Sequence, residues 1–421
     1  TDEVFICHLM GEDSDFVRFN HNRVRQAGRV RQIEIKLDLI EGTRHAAATF
    51  TVSGEMKYDF AMLRDRIKAL RILRAYLPED PYLLYATEPH SGEDRRENQL
   101  PDVGDVMRDI ISAADGLDLV GILASGPQYQ GFANSLGQRN WFETASFNFD
   151  WSCHLVGDKA VKSSYAGFKW RTDELYRCIE KARAQLERLK QPSTAIKPGR
   201  YRAYLAPAAL HEIFETLAED GFSLKQHRTR QSPLTRLAFS ERRLAHEINI
   251  TENHQAGLAP SFTSSGFMKP PQVNLIQQGQ YADCLAAPRS AREYGVLVNA
   301  SSESPESLDM AGGGLMMAEV LKWLDTGLYI SNLWYCNFSE RADCRITGMT
   351  RYACFWVEHG EIKAPVDVMR FDDSVYRMFG DKLIGLTREK EFRFDVDTYH
   401  RRSTRSMNLP GALLDDFNLT L

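Results

Sequence analysis

The chain has 421 residues, 43% hydrophobic and 26% charged, with a formal net charge of −5. That length exceeds one ordinary core and suits two domains, and the composition excludes a disordered or fibrous protein. The near-balanced charge provides no global field for nucleic acid, and no apolar run approaches the roughly 18 residues that span a bilayer.

Apolar residues at Ile33, Ile35, Leu37 and Leu39 alternate with polar ones, the pattern of a half-buried strand. Glu41-Gly42 supplies a turn before a second strand at Ala46–Val52. Phe60, Leu63, Ile67, Leu70 and Leu73 share one face of a predicted helix from Tyr58 to Tyr76, whose arginines and Lys68 form a solvated face. Pro78–Pro81 and Ser91–Asn98 read as loops, Val103–Ala114 as a helix, and Leu117–Ala124 as a buried strand followed by alternating strands to Lys169. Thr172–Lys190 is the best-defined helix: Thr172 suits the N-cap, Asp173 and Glu174 suit the positive end of the dipole, and Leu175, Ile179, Ala182, Leu186 and Leu189 form the apolar stripe.

Two prolines and a glycine in 191–199 predict a linker between an N-terminal domain, 1–190, and a C-terminal one, 200–421. Beyond the linker come a strand at Tyr201–Leu205 and a helix at Pro207–Ala218, with Pro207 in its first turn. From Phe222 onward the chain reads as strands and turns, interrupted by one helix near Leu315–Asp325. Gly312-Gly-Gly314 before that helix lacks the Lys-Ser/Thr of a phosphate loop and reads as a flexible turn. The order of elements predicts an α+β fold: a mixed sheet-and-helix N-terminal domain, then a largely antiparallel, β-rich C-terminal domain.

His211-Glu212 lies inside the helix that opens the second domain. Metallopeptidases place His-Glu on a helix because a second His one turn later faces the same metal while the Glu activates water. The second imidazole of HExxH would stand where the chain has Glu215, and that of HExxxH where it has Thr216. His211, Glu212 and Glu215 are therefore weak candidate ligands: one imidazole and two carboxylates, with a structural role the simpler reading. His246-Glu247, with His254 nearby, falls on a stretch that alternates like a strand (Leu244–Thr251), which does not suit helical ligand spacing. Cys7, Cys153, Cys178, Cys284, Cys336, Cys344 and Cys354 are scattered, form no CxxC pair and suit a reducing compartment. Thr1–Met10 lacks a signal-peptide pattern, so the expected location is the cytoplasm.

Several segments resemble the TldD/PmbA family, also labelled modulators of DNA gyrase, on its TldE/PmbA side. Phe16–Asn20 through Gly42-Thr-Arg44 resembles the family's opening strands, and Ala133–Gly137 its Asn-Ser-x-Gly hairpin. Pro260-Ser-Phe262, Gly266-Phe267 and Val273–Gly279 resemble its Pro-x-Phe…Gly…Leu-Ile-x-x-Gly segment. Gly327–Ile330, Thr347–Arg351 and Phe355–Val366 resemble its late strand-turn-strand run. The resemblance implies a heteromeric peptidase for unfolded peptides, in which a TldD-like chain supplies HExxxH and a late cysteine as zinc ligands. This sequence departs from that pattern at Thr216 and has no cysteine after Cys354.

The implied role is a non-catalytic subunit with no catalytic residues and no cofactor of its own, whose zinc resides in a TldD-like partner; a homodimer is the alternative assembly. A competing reading is a self-sufficient metallopeptidase using His211 and Glu212. A second is a non-enzymatic regulatory or DNA-topology-associated protein, for which the charge gives no support. Trp323, Leu328, Tyr329, Leu333, Trp334 and Tyr335 concentrate apolar surface around a strand pair that begins at Gly327. Strand alternation must expose part of Asn332–Tyr335, so Trp334 or Tyr335 is expected to contact a partner or peptide.

Overall fold

Long alternating runs build the first sheet of the computed structural model, which describes residues 2–421. Its strands are β1 (Glu3–Asn20), β2 (Arg23–Glu41), β3 (Arg44–Thr51), β4 (Gly92–Arg95), β5 (Asp118–Asn134), β6 (Arg139–Val156) and β7 (Lys159–Gly167). They are ordered β3-β2-β1-β5-β6-β4, with β7 also on β6. All pairings are antiparallel except that of β4 with β6. Helix α1 (Met56–Tyr76) packs Leu70 over Leu37, Leu39 and Phe50. Helices α2 (Val103–Ala113) and α3 (Thr172–Leu189) cover Phe149 and Trp151 with Ile110, Ile179 and Leu186.

The five predicted stripe residues of α3 are all buried. Local expectations fail in this half at α1, β4 and Thr172. On α1, Phe60 and Leu73 of the predicted apolar face are exposed, while Arg74 of the predicted solvated face is buried and paired with Glu3 and Glu41. Strand β4 lies inside a segment read as loop: Gly-Glu-Asp-Arg has no apolar residue to signal it, and its pairing with Asn140–Glu143 comes from the neighbour. Thr172 is not the N-cap. Arg171 holds that position, and the Thr172 hydroxyl instead donates to Asp109 Oδ2 at 2.7 Å.

The second sheet comprises β8 (Gly199–Leu205), β9 (Ile250–Glu252), β10 (Val273–Gln277), β11 (Gln280–Tyr281), β12 (Ser307–Met310), β13 (Gly327–Ile330), β14 (Asn332–Glu340), β15 (Arg345–Arg351), β16 (Phe355–Glu358), β17 (Glu361–Pro365), β18 (Arg370–Ser374), β19 (Leu383–Phe394) and β20 (Ser406–Leu419). Strand β20 is its hub, pairing with β8, β12, β18 and β19. The pairings of β12 with β20 and of β8 with β13 are parallel; the others are antiparallel. Helix α4 (Pro207–Ala218) buries Leu210, Ile213, Phe214 and Leu217 in this core, with the Phe214 ring centred 5.4 Å from that of Phe379.

The C-terminal half holds more helix than the sequence suggests. Besides a 3-10 turn at Met317–Glu319, it contains α5 (Leu224–Arg228), α6 (Thr235–Ala238), α7 (Pro288–Tyr294), α8 (Val320–Leu324) and α9 (Val375–Met378). Helix α8 and the 3-10 turn fall within the helix expected near Leu315–Asp325, but α5, α6, α7 and α9 are too short to repeat a 3.6-residue period twice, which is why periodicity misses them. Of the expected strand at Leu244–Thr251 only the end pairs, as β9, and His246-Glu247 stand on a turn. Gly312-Gly-Gly314 is no flexible turn: Gly313 N–H donates to the Thr387 carbonyl at 2.9 Å. A Cβ on Gly312 would lie 2.6 Å from the Arg388 oxygen, so close backbone approach requires glycine there.

Several features join the two halves, among them the packing of Phe262 on Phe132 and Phe142. The core under α3 continues into Ala353 and Phe355 of the second sheet. The segment entering β20 also reaches back, where Arg402, only 6% exposed, donates to the carbonyls of Gly126 (2.9 Å) and Ser146 (2.8 Å). Burial brings its pKa down to about 10. Among the described residues no helix is long and apolar enough to cross a membrane.

Candidate functional site

Helix α4 begins at Pro207, whose missing N–H costs nothing in a first turn, and its apolar residues fix its rotation on the sheet. That rotation leaves His211 with a side chain 14% exposed, its Nε2 3.7 Å from Glu215 Oε2. Nδ1 is buried and has no hydrogen-bond partner. Burial, reinforced by the charges of Arg393, Lys162 and Arg405, pulls the imidazole pKa down to about 3, so the ring is neutral. Burial raises the Glu212 carboxyl, as does the charge of Glu215, against the opposing pull of Lys162 and Arg393. Glu215 is raised in the same direction, by burial and then by Asp395.

Thr216 stands where a second imidazole would be. Its hydroxyl donates back to the Glu212 carbonyl at 2.9 Å, a bond internal to the helix. Beneath it on β14 lies Cys336, whose thiol is pushed up to about 12 by burial and by the charges of Glu212 and Glu215. A thiol so raised is protonated at neutral pH and is a poor nucleophile or ligand. The structure thus unites His211 with Glu215 and surrounds them with residues from other strands. Lys162 pairs with Asp150 at 3.2 Å, and Arg393 with Glu391 at 2.5 Å.

A second cluster includes His254. Among the described residues, one group of three His, Cys, Asp or Glu brings its ligand atoms within 4.8 Å of one another: Glu252, His254 and Glu306. His254 Nδ1 donates to the Pro270 carbonyl at 2.8 Å, leaving Nε2 3.2 Å from Glu252 Oε1. That same oxygen accepts the backbone N–H groups of Glu306 (3.0 Å) and Ser307 (2.8 Å), while the buried Lys269 ammonium lies 2.5 Å from Glu306 Oε2. Backbone donors engage Glu252 Oε1 and the Lys269 ammonium engages Glu306, so the cluster clasps β9 to the entry of β12, while Glu252 Oε2 and His254 Nε2 are buried without a hydrogen-bond partner. His246 takes no part. Local spacing announces only Glu252 and His254, two residues apart; Glu306 and Lys269 come from separate segments.

Trp334 and Tyr335 are both exposed, by 50% and 70%. The sequence predicts at least one, and the second has a physical cause. Tyr335 takes a left-handed backbone (φ 58°) at a bulge between Trp334 and Asn337, which breaks the strand alternation. The two rings lie 5.7 Å apart, and the Arg351 guanidinium sits 5.5 Å over Trp334. Trp323 is exposed as well, whereas Leu328 and Leu333 belong to the core.

A largely antiparallel first sheet and a β-rich second domain that opens with a helix carrying His-Glu define an α+β protein. The profile described as the PmbA/TldA metallopeptidase C-terminal domain matches residues 198–421. The chain belongs to this PmbA/TldD family. No curated protein matches it by sequence. Its fold is similar to that of TldE from Thermococcus kodakarensis, with a TM-score of 0.79, 14% identity, and coverage of 100% of this chain and 97% of that one. A candidate modulator of a DNA gyrase from Thermotoga maritima gives 0.76 at 14% identity, covering 99% and 96%. Another, from Bacteroides thetaiotaomicron, gives 0.77 at 12%, covering 99% and 94%.

Proposed function

We propose that this chain is a TldE/PmbA-like subunit of a TldD/TldE-type zinc peptidase assembly acting on unfolded peptides, and that it lacks the metal site itself. The observation that carries this reading is the face of α4. A catalytic zinc needs three protein ligands. The helix offers one neutral imidazole and two carboxylates, and the residue in the second-histidine position hydrogen-bonds its own helix. Cys354, the last cysteine, is buried with its thiol donating to the Arg351 carbonyl at 3.3 Å. These residues do not fit a catalytic zinc, and no hydrolytic step is assigned to them. The unpartnered Nδ1 of His211 is the one feature that favours a self-sufficient enzyme.

In this assembly the exposed Trp334–Tyr335 pair is a contact for the TldD-like chain or for peptide. Aromatic residues that bring large apolar area with little conformational entropy are enriched at such contacts. The test is co-expression with a TldD-like chain from the same host. The expected result is co-purification and zinc-dependent cleavage of an unfolded peptide by the pair, with none by this chain alone. His211→Ala in this chain should leave the activity of the pair within a few-fold. A loss on the order of a thousandfold, the scale of a general acid or base, would overturn the assignment. Trp334→Ala and Tyr335→Ala should weaken assembly with folding intact; unchanged assembly in both removes this surface from the interface.

A further inference from the structure

A cavity of about 460 Å³ lies between α3 and the second sheet. Its walls include Tyr204, Tyr329 and Phe355, and the first residues of α4 close one end. Lys162 and Arg393, two of the three cations that act on His211, line it too, so it adjoins the α4 site. Four cations face this space against one carboxylate, Glu391, which Arg393 already engages. Lys162 is matched by Asp150.

That leaves Lys181 and Arg188, one face of α3 seven residues apart. The other cations of this helix are paired along it: Arg171 and Arg177 with Glu174, Arg183 with Glu180, and Lys190 with Glu187. Among the described residues, Lys181 and Arg188 have no carboxylate within ion-pair distance, and they are the two that line the cavity. The neutralisation that the rest of α3 arranges for itself is missing only where the helix meets this space. Across from them the N-terminus of α4 adds the positive end of a 12-residue helix that has no capping side chain.

We infer that the cavity binds the C-terminal carboxylate of a peptide, with the last side chain seated among Tyr204, Tyr329 and Phe355. The apolar floor favours a carboxylate attached to an apolar residue over a bare inorganic anion. This rests on the peptide-handling role proposed above and adds the part of the peptide that is recognised.

The test uses the full chain and titration calorimetry with a short apolar peptide in two forms, C-terminal acid and C-terminal amide. The acid should bind about tenfold or more tightly than the amide, the scale of one charge-assisted hydrogen bond. The Lys181→Gln/Arg188→Gln double variant changes exposed residues and should remove that preference. Equal binding of the two forms, or an unchanged preference in the double variant, overturns the inference. So does binding of inorganic phosphate as tight as that of the acid peptide. Assembly with the TldD-like chain is measured separately on the same variant. Intact assembly without carboxylate preference sinks the cavity alone, whereas failed assembly of the unaltered chain sinks the subunit role.

Discussion

Helices α3 and α4 meet at the same cavity and carry their polar residues in opposite ways. Helix α3 buries one stripe and leaves its charges in water, where most pair three or four residues apart. Helix α4 buries seven residues around most of its girth, yet carries His211 and Glu212 partly inside, with the histidine pKa lowered and the glutamate pKa raised. Packing does not require ionisable groups there, since burial works against their charged forms. The contrast singles out α4, which carries His211 and Glu212 with Thr216 in the place of a second imidazole, as the helix on which the proposed function turns.

The largest expected effect breaks the comparison at its apolar base. Phe214→Ala empties the contact with Phe379 and should destabilise the second domain by about 3–5 kcal/mol, measured by urea unfolding. A loss below about 1 kcal/mol would mean that α4 is not anchored as described.

The next effect lies in pH. The imidazole of His211 has a folded pKa of about 3 against an ordinary 6.5, so the unfolded chain binds the proton more tightly. Its contribution to stability is present above about pH 6.5 and is lost as pH falls, by about 1.4 kcal/mol per unit, or about 2 kcal/mol by pH 5. His8, pulled down to about 4 by burial and by Arg401 and Lys36, adds to the same slope. In His211→Asn the fall in stability between neutral pH and about pH 5 should be shallower than in the unaltered chain; an identical slope would show that this ring is not held neutral. The smallest effect belongs to α3. Glu187→Ala removes an exposed pair with Lys190 and should change stability by less than about 0.5 kcal/mol, read from the same unfolding curves.

How legible each region was follows from the same contrast. The first four helices appeared in the sequence because each sustains an apolar period over several turns, and β2, β3 and β5 to β7 because apolar and polar residues alternate along much of each; residues 3–14 of β1 carried no strand reading. Helices α5, α6, α7 and α9 are a turn or two long and offer no such repeat, whereas α8 lies within the helix expected near Leu315–Asp325. Strand β4 has no apolar residue, and its pairing is imposed by β6. At the site, the pairing of His211 with Glu215 was readable from i,i+4 spacing. Its electrostatic surroundings were not, because Lys162, Asp150, Arg393 and Asp395 arrive from distant strands. Alternation foretold one exposed aromatic at Asn332–Tyr335, and only the left-handed backbone of Tyr335 explains the second.

The most direct measurement is the zinc content of the purified full chain after dialysis against a zinc-containing buffer. The account predicts far less than one zinc per chain, unchanged in His211→Ala, together with zinc bound once a TldD-like chain is present. One tightly held zinc per chain, lost in His211→Ala and accompanied by chelator-sensitive peptide cleavage, would contradict it and make this chain an enzyme in its own right.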